Sequence, residues 1–194
     1  MSQEKESNTR AESTPRALFL DRDGVVNVEI GYLHRIEEVE FVPGIVSLCR
    51  TAMRLGYRLV VVTNQAGIAR GFYTEADFEA LMVWMRGELR TEGVEFDAVY
   101  YCPFHPEHGI GKYKCEHEDR KPGAGMLRRA EREFGVSLPE SVMVGDRCSD
   151  IAAANSAGVK QAFLIAGTEG SACPGDYLDV KTLAEVEHWL INQS

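Results

Sequence analysis

The chain has 194 residues, of which 44% are hydrophobic and 26% are charged, and its formal net charge is −9. A chain of this length can bury one substantial hydrophobic core but is short for two domains. Its acidic balance argues against nonspecific binding to nucleic acid or to an anionic membrane, because both need a basic surface. An anionic substrate must therefore meet a local group of cations.

The first fifteen residues are polar and charged, and we expect residues 1–15 to form a disordered tail. They lack the apolar core of an export signal, and no stretch approaches the ~20 apolar residues that span a bilayer. The five cysteines are odd in number and scattered, which favours free thiols or metal ligands over a disulfide framework. We therefore expect a cytoplasmic protein with a single domain over residues 16–194.

Short apolar runs alternate along the chain with amphipathic segments of helical length. The predicted strands are residues 17–20, 58–62, 96–101, 142–144 and 162–165. The predicted helices are residues 44–55, the segment that follows an N-cap at Thr74, and residues 123–134, 150–157 and 180–191. This alternation predicts an α/β fold, a Rossmann-like three-layer sandwich with a central parallel sheet of about five strands. Ligands of such sheets bind beyond the carboxyl ends of the strands.

Polar motifs follow three of the predicted strands, and a fourth motif precedes a helix. They read Asp21-Arg22-Asp23-Gly24, Thr63-Asn64-Gln65, Arg120-Lys121-Pro122 and Gly145-Asp146-Arg147-Cys148-Ser149-Asp150. One Asp-x-Asp motif is a weak signal, because turns contain many aspartates. Four motifs at element boundaries are a strong signal, and we expect them to converge at one edge of the sheet.

The residue types in these motifs suit phosphoryl transfer. A carboxylate that attacks a phosphate ester meets a like charge, so the site needs a divalent cation. We predict Asp21 as the nucleophile and Asp23 as the general acid and base, with Asp21, Asp23 and Asp146 binding Mg²⁺. Thr63 and Lys121 are predicted to hold the phosphoryl oxygens as their charge spreads.

The four motifs resemble those of the haloacid-dehalogenase-like phosphohydrolase superfamily, and the resemblance extends from about residue 17 to 165. It implies the same roles for Asp21, Asp23, Thr63, Lys121 and Asp146, with Asp150 as a supporting acid. An aspartate at position 23 is typical of the superfamily's phosphatases and phosphomutases, whereas its ATPases have threonine there. A non-catalytic phosphate-binding module is the alternative from another class, and it is disfavoured because no acid of the set is missing.

Members of this superfamily usually carry a cap domain, but the intervals between the motifs leave room only for loops at residues 25–41 and 102–120. These loops are similar to those of the D-glycero-D-manno-heptose 1,7-bisphosphate 7-phosphatases in residues 19–27, 31–32, 41–44, 63–71, 101–106 and 120–122. The resemblance implies a sugar bisphosphate substrate, with Arg120 on the phosphate that is not cleaved. It also implies substrate contacts from Glu29, Ile30, Gly31, Tyr32, Thr63, Asn64, Gln65, Ala66, Arg120 and Lys121.

Two other substrate classes remain open at this point. Histidinol-phosphate phosphatases share most of the motifs and are the alternative within the same chemistry. Polynucleotide 3′-phosphatases share the capless plan, but the acidic chain lacks a basic stripe. We expect Arg22, Arg70 and Arg147 to be solvated surface residues, and the protein to be a monomer, since no long apolar stripe is left unassigned.

Heptose bisphosphate phosphatases often bind structural zinc through Cys-x-His and Cys-x-Cys motifs, and this chain departs from that pattern. Phe104 stands at the usual histidine position. The remaining candidate ligands are Cys102, His105 or His108, Cys115 and His117, a set large enough for tetrahedral zinc. The displaced spacing favours a loop without zinc, so Mg²⁺ is the cofactor that we expect.

Overall fold

The computed structural model describes residues 14–165 and 172–193. The disordered tail predicted for residues 1–15 lies outside the described residues, apart from Thr14 and Pro15. The division into a tail and a single domain over residues 16–194 stays a prediction. Within the described residues, no helix is both long enough and apolar enough to cross a membrane.

Six parallel strands form one sheet in the order β3-β2-β1-β4-β5-β6. They are β1 (Arg16–Leu20), β2 (Tyr57–Asn64), β3 (Ala98–Cys102), β4 (Val142–Gly145), β5 (Gln161–Ile165) and β6 (Leu178–Val180). β1 lies between β2 and β4, so the polar motifs that follow these three strands leave the sheet side by side. The topology therefore gathers the predicted catalytic residues at one edge.

Helices cover both faces of the sheet. They are α1 (Ile45–Arg54), α2 (Ala66–Ala69), α3 (Glu75–Thr91), α4 (Gly125–Phe134), α5 (Cys148–Ala157) and α6 (Leu183–Asn192). Alternate residues of β1 point to opposite faces. Leu18 and Leu20 join the apolar cluster under α1, α3 and α6, while Ala17 and Phe19 join the cluster under α4 and α5. The predicted three-layer α/β sandwich is confirmed.

The structure differs from the predicted elements mainly beyond β5. The sixth strand, β6, is three residues long and leaves Leu178 and Asp179 exposed, so it has no apolar run by which to recognise it. The helix predicted over residues 180–191 begins only at Leu183, because the Thr182 N–H donates to Glu185 Oε1 (3.1 Å) and fixes the helix start there. The predicted cap at Thr74 is confirmed by its exchange of hydrogen bonds with Asp77.

Loops cover the carboxyl edge of the sheet in the part of the chain that the structure describes. The segment from β1 to α1 contains two isolated bridges, Asp23 with Asn27 and Asn27 with Phe41, and one short 3-10 turn. The segment from β3 to α4 contains one 3-10 turn at Gly111–Tyr113. Neither of these two described segments contains a separate cap domain.

The cysteine prediction was wrong for one pair. Cys148 and Cys173 form a disulfide, although they are 25 residues apart in sequence. Pairing of β4 with β5 brings the start of α5 beside the segment that precedes β6, and the two Cα atoms lie 5.0 Å apart, within the span of a disulfide. Cys49, Cys102 and Cys115 are free thiols, as expected.

The buried hydroxyl of Ser141 joins β1 to the turn before β4, which makes it a test of the fold. Its Oγ accepts a hydrogen bond from the Ala17 N–H (2.9 Å) and donates to the Ser137 carbonyl (2.6 Å). Ser141→Ala leaves a buried N–H of β1 without a partner, which costs about 1–3 kcal/mol. We expect the free energy of unfolding, measured by urea denaturation, to fall by this amount.

Ser137→Ala is the matched control, because Ser137 contributes only backbone groups to the hydrogen bonds described around it. Its urea midpoint should stay close to that of the unmodified protein. Equal midpoints for the two variants would contradict the role given to the Ser141 hydroxyl.

Candidate active site

Asp21 is held at the junction of the two central strands. It directly follows β1, and its N–H donates to the Val144 carbonyl in β4 (3.0 Å). Its Oδ1 accepts a hydrogen bond from the Arg22 N–H (2.8 Å). The residue is 6% exposed, so the carboxylate is buried and held by the strand frame.

Three buried carboxylates meet at this point. Oxygen atoms of Asp21, Asp146 and Asp150 all lie within 4.8 Å of one another. Burial raises the pKa of Asp146 to about 7, and the charges of Asp21 and Asp150 act in the same direction. Burial also raises the pKa of Asp21 to about 6, although the Lys121 ammonium opposes this shift. Ionising these two carboxyl groups is therefore costly, chiefly because they are withdrawn from water and secondly because they lie close together.

Lys121 is the buried cation of this cluster. Its Nζ lies 2.6 Å from Asp150 Oδ1 and 2.9 Å from Asp21 Oδ1, and it donates to the Val62 carbonyl (2.8 Å). Burial alone would lower the pKa of Lys121, but the two carboxylates raise it. Asn64 fixes the backbone of Lys121, since its amide donates to the Lys121 carbonyl (2.9 Å) and accepts from the Lys121 N–H (3.0 Å). A charged ammonium group is thus fixed beside Asp21.

The aspartate group suits a hard divalent cation, which takes carboxylate oxygens as ligands. Asp146 Oδ1 is buried without a hydrogen-bond partner among the described residues, so it is free to bind a cation. The group contains Asp21 and Asp146 of the predicted ligands, with Asp150 in place of the Asp23 carboxylate. Gly24 allows the close approach, because a Cβ atom there would lie 2.5 Å from Asp146 Oδ2.

The Asp23 carboxylate is held by a separate set of donors. The Arg22 Nε and Nη2 atoms donate to Asp23 Oδ1 (3.0 and 2.7 Å), and Asn27 Nδ2 donates to the same oxygen (3.0 Å). Arg22 is fully buried, so its predicted place on the surface was wrong. Its guanidinium lies 5.4 Å from the centre of the Phe78 ring and also donates to the Leu33 carbonyl (3.0 Å). This arginine orients Asp23 next to the acid cluster.

Thr63 lies near the end of β2 and is buried at 1% exposure. Its Oγ accepts a hydrogen bond from Gln65 Nε2 (2.8 Å), which also donates to Asp23 Oδ2 (3.2 Å). Thr63, Asp23, Asp21 and Lys121 line the same cavity. The structure therefore brings the four predicted catalytic residues together.

That cavity has a volume of about 430 Å³ and opens at the carboxyl edge of the sheet. The predicted substrate contacts along it are Glu29, Gly31, Tyr32, Thr63, Asn64, Gln65, Ala66, Arg120 and Lys121. Ile30 is not in the lining and is 50% exposed. The lining residues that sequence reasoning missed include Arg70, Tyr73, His105 and Ser149. For Arg70 a signal existed, since it falls inside the motif at residues 63–71.

A second group of basic side chains, Arg70, His105 and Arg120, lines the same cavity. Burial and the charge of Arg70 lower the pKa of Arg120, whose Nη1 donates to the Phe104 carbonyl (3.1 Å). Burial and the charges of Arg120, His108 and Arg70 lower the pKa of His105. Arg70 is partly buried rather than solvated as expected, and its Nε has no hydrogen-bond partner among the described residues. An anion here would relieve the repulsion between these groups.

Arg147 is half exposed, as expected for a surface residue, with 54% of its side-chain area accessible. It nevertheless lines the cavity, where its Nη2 donates to Glu29 Oε2 (3.1 Å). Its Nε also lies 4.0 Å from Asp146 Oδ1. Arg147 therefore links the loop of Glu29 to the acid cluster.

The candidate zinc ligands do not form a group. Cys102 Sγ lies 3.9 Å from the Phe104 carbonyl, Cys115 Sγ lies 3.9 Å from the Lys112 carbonyl, and the His117 ring stacks on Phe104. Within residues 14–165 and 172–193, the one group of His, Cys, Asp or Glu side chains close enough to share a metal ion is the aspartate cluster. That cluster is therefore the candidate metal site of the described residues.

A larger cavity, of about 850 Å³, lies at the opposite edge of the sheet. It is lined by the starts of β1 and β2, including Arg16, Tyr57 and Arg58. None of the predicted catalytic residues reaches it, because the amino ends of the strands point away from the motifs. The smaller cavity is therefore the candidate active site.

Comparison with known proteins agrees with this site. A family model described as HAD-hydrolase-like matches residues 119–178. The D-glycero-alpha-D-manno-heptose-1,7-bisphosphate 7-phosphatase of Burkholderia mallei is 52% identical over 156 residues, which are 80% of this chain and 82% of that protein. The D-glycero-beta-D-manno-heptose-1,7-bisphosphate 7-phosphatase of Vibrio cholerae is 43% identical over 180 residues, 90% of this chain and 96% of that protein.

Among solved structures, the D,D-heptose 1,7-bisphosphate phosphatase of B. bronchiseptica, complexed with magnesium and phosphate, matches with a TM-score of 0.80. It is 29% identical, and the match covers 92% of this chain and 99% of that one. The first two relatives are 52% and 43% identical to this chain and cover most of its length. The chain therefore belongs to the haloacid-dehalogenase-like hydrolases, in the family of the heptose 1,7-bisphosphate 7-phosphatases.

Proposed function

We propose that this protein is a Mg²⁺-dependent phosphatase that removes the 7-phosphate of D-glycero-D-manno-heptose 1,7-bisphosphate through an aspartyl-phosphate on Asp21. The observation that carries the proposal is a single cavity that is lined both by the cluster of Asp21 and Lys121 and by the cations Arg70 and Arg120. A substrate with two phosphates fits such an arrangement. The relatives with 52% and 43% identity supply the sugar in their names.

In the first step, a carboxylate oxygen of Asp21 attacks the phosphorus of the 7-phosphate, the new O–P bond forms, and the bond from phosphorus to the sugar oxygen breaks. Lys121 and the Thr63 hydroxyl hold the phosphoryl oxygens. Mg²⁺, held by Asp21, Asp146 and Asp150, would neutralise charge between the carboxylate and the phosphate. The protein supplies a fixed frame, because Lys121 and Asp21 are both buried and paired.

Asp23 is the group that moves the proton. In its protonated form it gives a proton to the leaving sugar oxygen, and as a carboxylate it then takes one from the water that attacks the acyl phosphate. That second attack breaks the bond between phosphorus and Asp21 and releases phosphate. Arg22 and Asn27 keep the carboxylate in place through both steps, since each donates to Asp23 Oδ1.

The setting of the reaction is part of the proposal. The product would enter the synthesis of nucleotide-activated heptose for a bacterial surface polysaccharide. We place the enzyme in the cytoplasm as a monomer, without nucleic acid or membrane partners. The net charge of −9 supports the absence of nucleic acid and membrane partners, because nucleic acids and anionic membranes would repel an acidic protein.

The first prediction concerns the substrate and the nucleophile. We expect Mg²⁺-dependent phosphate release from at least one anomer of heptose 1,7-bisphosphate to be much faster than release from histidinol phosphate. Asp21→Asn keeps the size of the side chain but removes the attacking oxygen, so turnover should fall by about 10⁴-fold or more. Circular dichroism should show an unchanged fold. A folded variant with near-normal turnover would contradict the role of Asp21, and a preference for histidinol phosphate would contradict the substrate.

The second prediction concerns repulsion within the aspartate cluster. Asp146→Asn removes one buried charge, so in a chelator the thermal midpoint should rise above that of the unmodified protein. Added Mg²⁺ should stabilise the unmodified protein, by about 2.7 kcal/mol at one hundred times its Kd, and should stabilise the variant far less. Asp179→Asn, at an exposed position in β6, is the matched control. Equal Mg²⁺-induced shifts in the two variants would rule out Asp146 as a ligand.

The third prediction concerns the phosphate that is not cleaved. Arg120→Gln removes a charged hydrogen bond worth about 1.5–3 kcal/mol, so kcat/KM for the bisphosphate should fall about 10- to 100-fold. With heptose 7-phosphate, which lacks the 1-phosphate, the same substitution should lower kcat/KM only slightly. Arg128→Gln is the control, because Arg128 lies on the exposed side of α4 and contacts the Ser156 carbonyl. An equal loss on both substrates would argue against this contact.

A further inference from the structure

Tyr73 is a buried side chain whose hydroxyl has no part in the chemistry described above. It lies between α2 and α3, is 6% exposed and lines the cavity. Its hydroxyl donates to Gln65 Oε1 at 2.6 Å. Gln65 is itself 1% exposed, so this hydrogen bond is shielded from water.

Two contacts together hold the Gln65 amide in one orientation, because the Tyr73 hydroxyl donates to Oε1 and the Asp23 carboxylate accepts from Nε2. The two ends of an amide have nearly the same shape, so only their hydrogen-bond partners distinguish them. The Tyr73 hydroxyl can donate or accept, and here it donates to Oε1; the opposite side of the amide faces the Asp23 carboxylate, which accepts, so Nε2 points to that side. There it donates to Thr63 Oγ (2.8 Å) and to Asp23 Oδ2 (3.2 Å).

This orientation matters for the single proton of the Thr63 hydroxyl. Because Thr63 Oγ accepts from Gln65 Nε2, its own O–H remains available to donate to a phosphoryl oxygen. A reversed amide would place Oε1 against Thr63, where it would accept that proton. The same reversal would place an amide oxygen against the Asp23 carboxylate, which is repulsive.

The surroundings of Tyr73 hold its ring in one place. A Cβ atom at Gly67 would lie 2.2 Å from the ring carbon Cε1, so the ring packs directly on the backbone of α2. The His34 ring stacks on the Tyr73 ring, with the ring centroids 5.1 Å apart and the ring planes at 8°. Burial raises the pKa of Tyr73 to about 12, which keeps the hydroxyl protonated as a donor near neutral pH.

We propose that Tyr73 is a positioning residue of the proposed reaction, which fixes the Gln65 amide so that Thr63 can donate to the transferred phosphoryl group and Asp23 accepts from Nε2. The inference rests on the proposed phosphatase function. Tyr73 does not touch the reacting atoms in this scheme. It acts only through Gln65.

The test compares Tyr73→Phe with Tyr57→Phe. Both tyrosines are buried, but the Tyr57 hydroxyl has no hydrogen-bond partner among the described residues and lies at the opposite edge of the sheet. We expect Tyr73→Phe to lower kcat about 10- to 100-fold with little change in KM, since losing one donor to a phosphoryl oxygen entirely costs about 10²–10³-fold. Tyr57→Phe should keep the kcat of the unmodified protein. An unchanged kcat in Tyr73→Phe would overturn the proposal.

A double-mutant cycle separates positioning from a general loss of packing. In a Gln65→Met background the amide is gone, so Tyr73→Phe should lower kcat no further. If Tyr73→Phe lowers kcat by the same factor in both backgrounds, it does not act through Gln65. If Gln65→Met alone leaves kcat unchanged, the amide is not needed, and the proposal fails as well.

A measurement without turnover keeps this inference distinct from the proposed function. The side-chain NH₂ signals of Gln65, identified by their loss in Gln65→Met, should shift in Tyr73→Phe and not in Tyr57→Phe. Unshifted signals in Tyr73→Phe would overturn the positioning role. If the unmodified protein is inactive on heptose bisphosphate but cleaves p-nitrophenyl phosphate with Mg²⁺, the proposed substrate fails. The kinetic comparison on that ester still tests Tyr73.

Discussion

Three aspartate side chains and one lysine share a buried space at the carboxyl edge of the sheet, where they attract and repel one another. The surrounding backbone must hold these four groups close together. Lys121 Nζ contacts Asp21 and Asp150 directly, while Asp146 Oδ1 has no hydrogen-bond partner among the described residues. Such a cluster can exist only where the backbone allows close approach. Gly24 satisfies that condition, because its missing side chain leaves room for Asp146. The strand order also contributes, because β1 lies between β2 and β4 and the residues that follow these strands are therefore neighbours.

The local charge of the site contrasts with the charge of the whole chain. The net charge of −9 repels anions at long range, so substrate capture depends on cations close to the bound molecule. Lys121, Arg70 and Arg120 all line the cavity and supply such cations. Lys121 is buried, and charges interact more strongly where the dielectric constant is low. Arg70 and Arg120 are only partly buried, so water screens their charges more.

Much of the fold and of the catalytic set could be predicted from sequence because both follow from short-range patterns. Buried parallel strands read as apolar runs, and Asp21, Thr63 and Asp146 stand at the points where those runs end. The features that were missed depend on contacts distant in sequence. Arg22 looks like a surface residue until the Phe78 ring and the Leu33 carbonyl are placed against it.

β6 and the disulfide were also missed because they depend on contacts between residues that are distant in sequence. β6 exposes two of its three residues and forms only because β5 offers a free edge for pairing. The pairing of Cys148 with Cys173 requires the register of β4 on β5, which local sequence does not encode. The aspartate cluster also differs in membership from the predicted metal ligands, which stay a prediction. Asp150 joins Asp21 and Asp146 because it lies in the first turn of α5, shortly after Asp146 in the chain.

The two hydrogen bonds between Asn64 and the backbone of Lys121 anchor the segment from β3 to α4. That segment carries His105 and Arg120 as well as Lys121, and the Asn64 amide fastens it to the end of β2. One anchored segment therefore carries three of the residues that line the cavity, and a displacement of it would move all three at once.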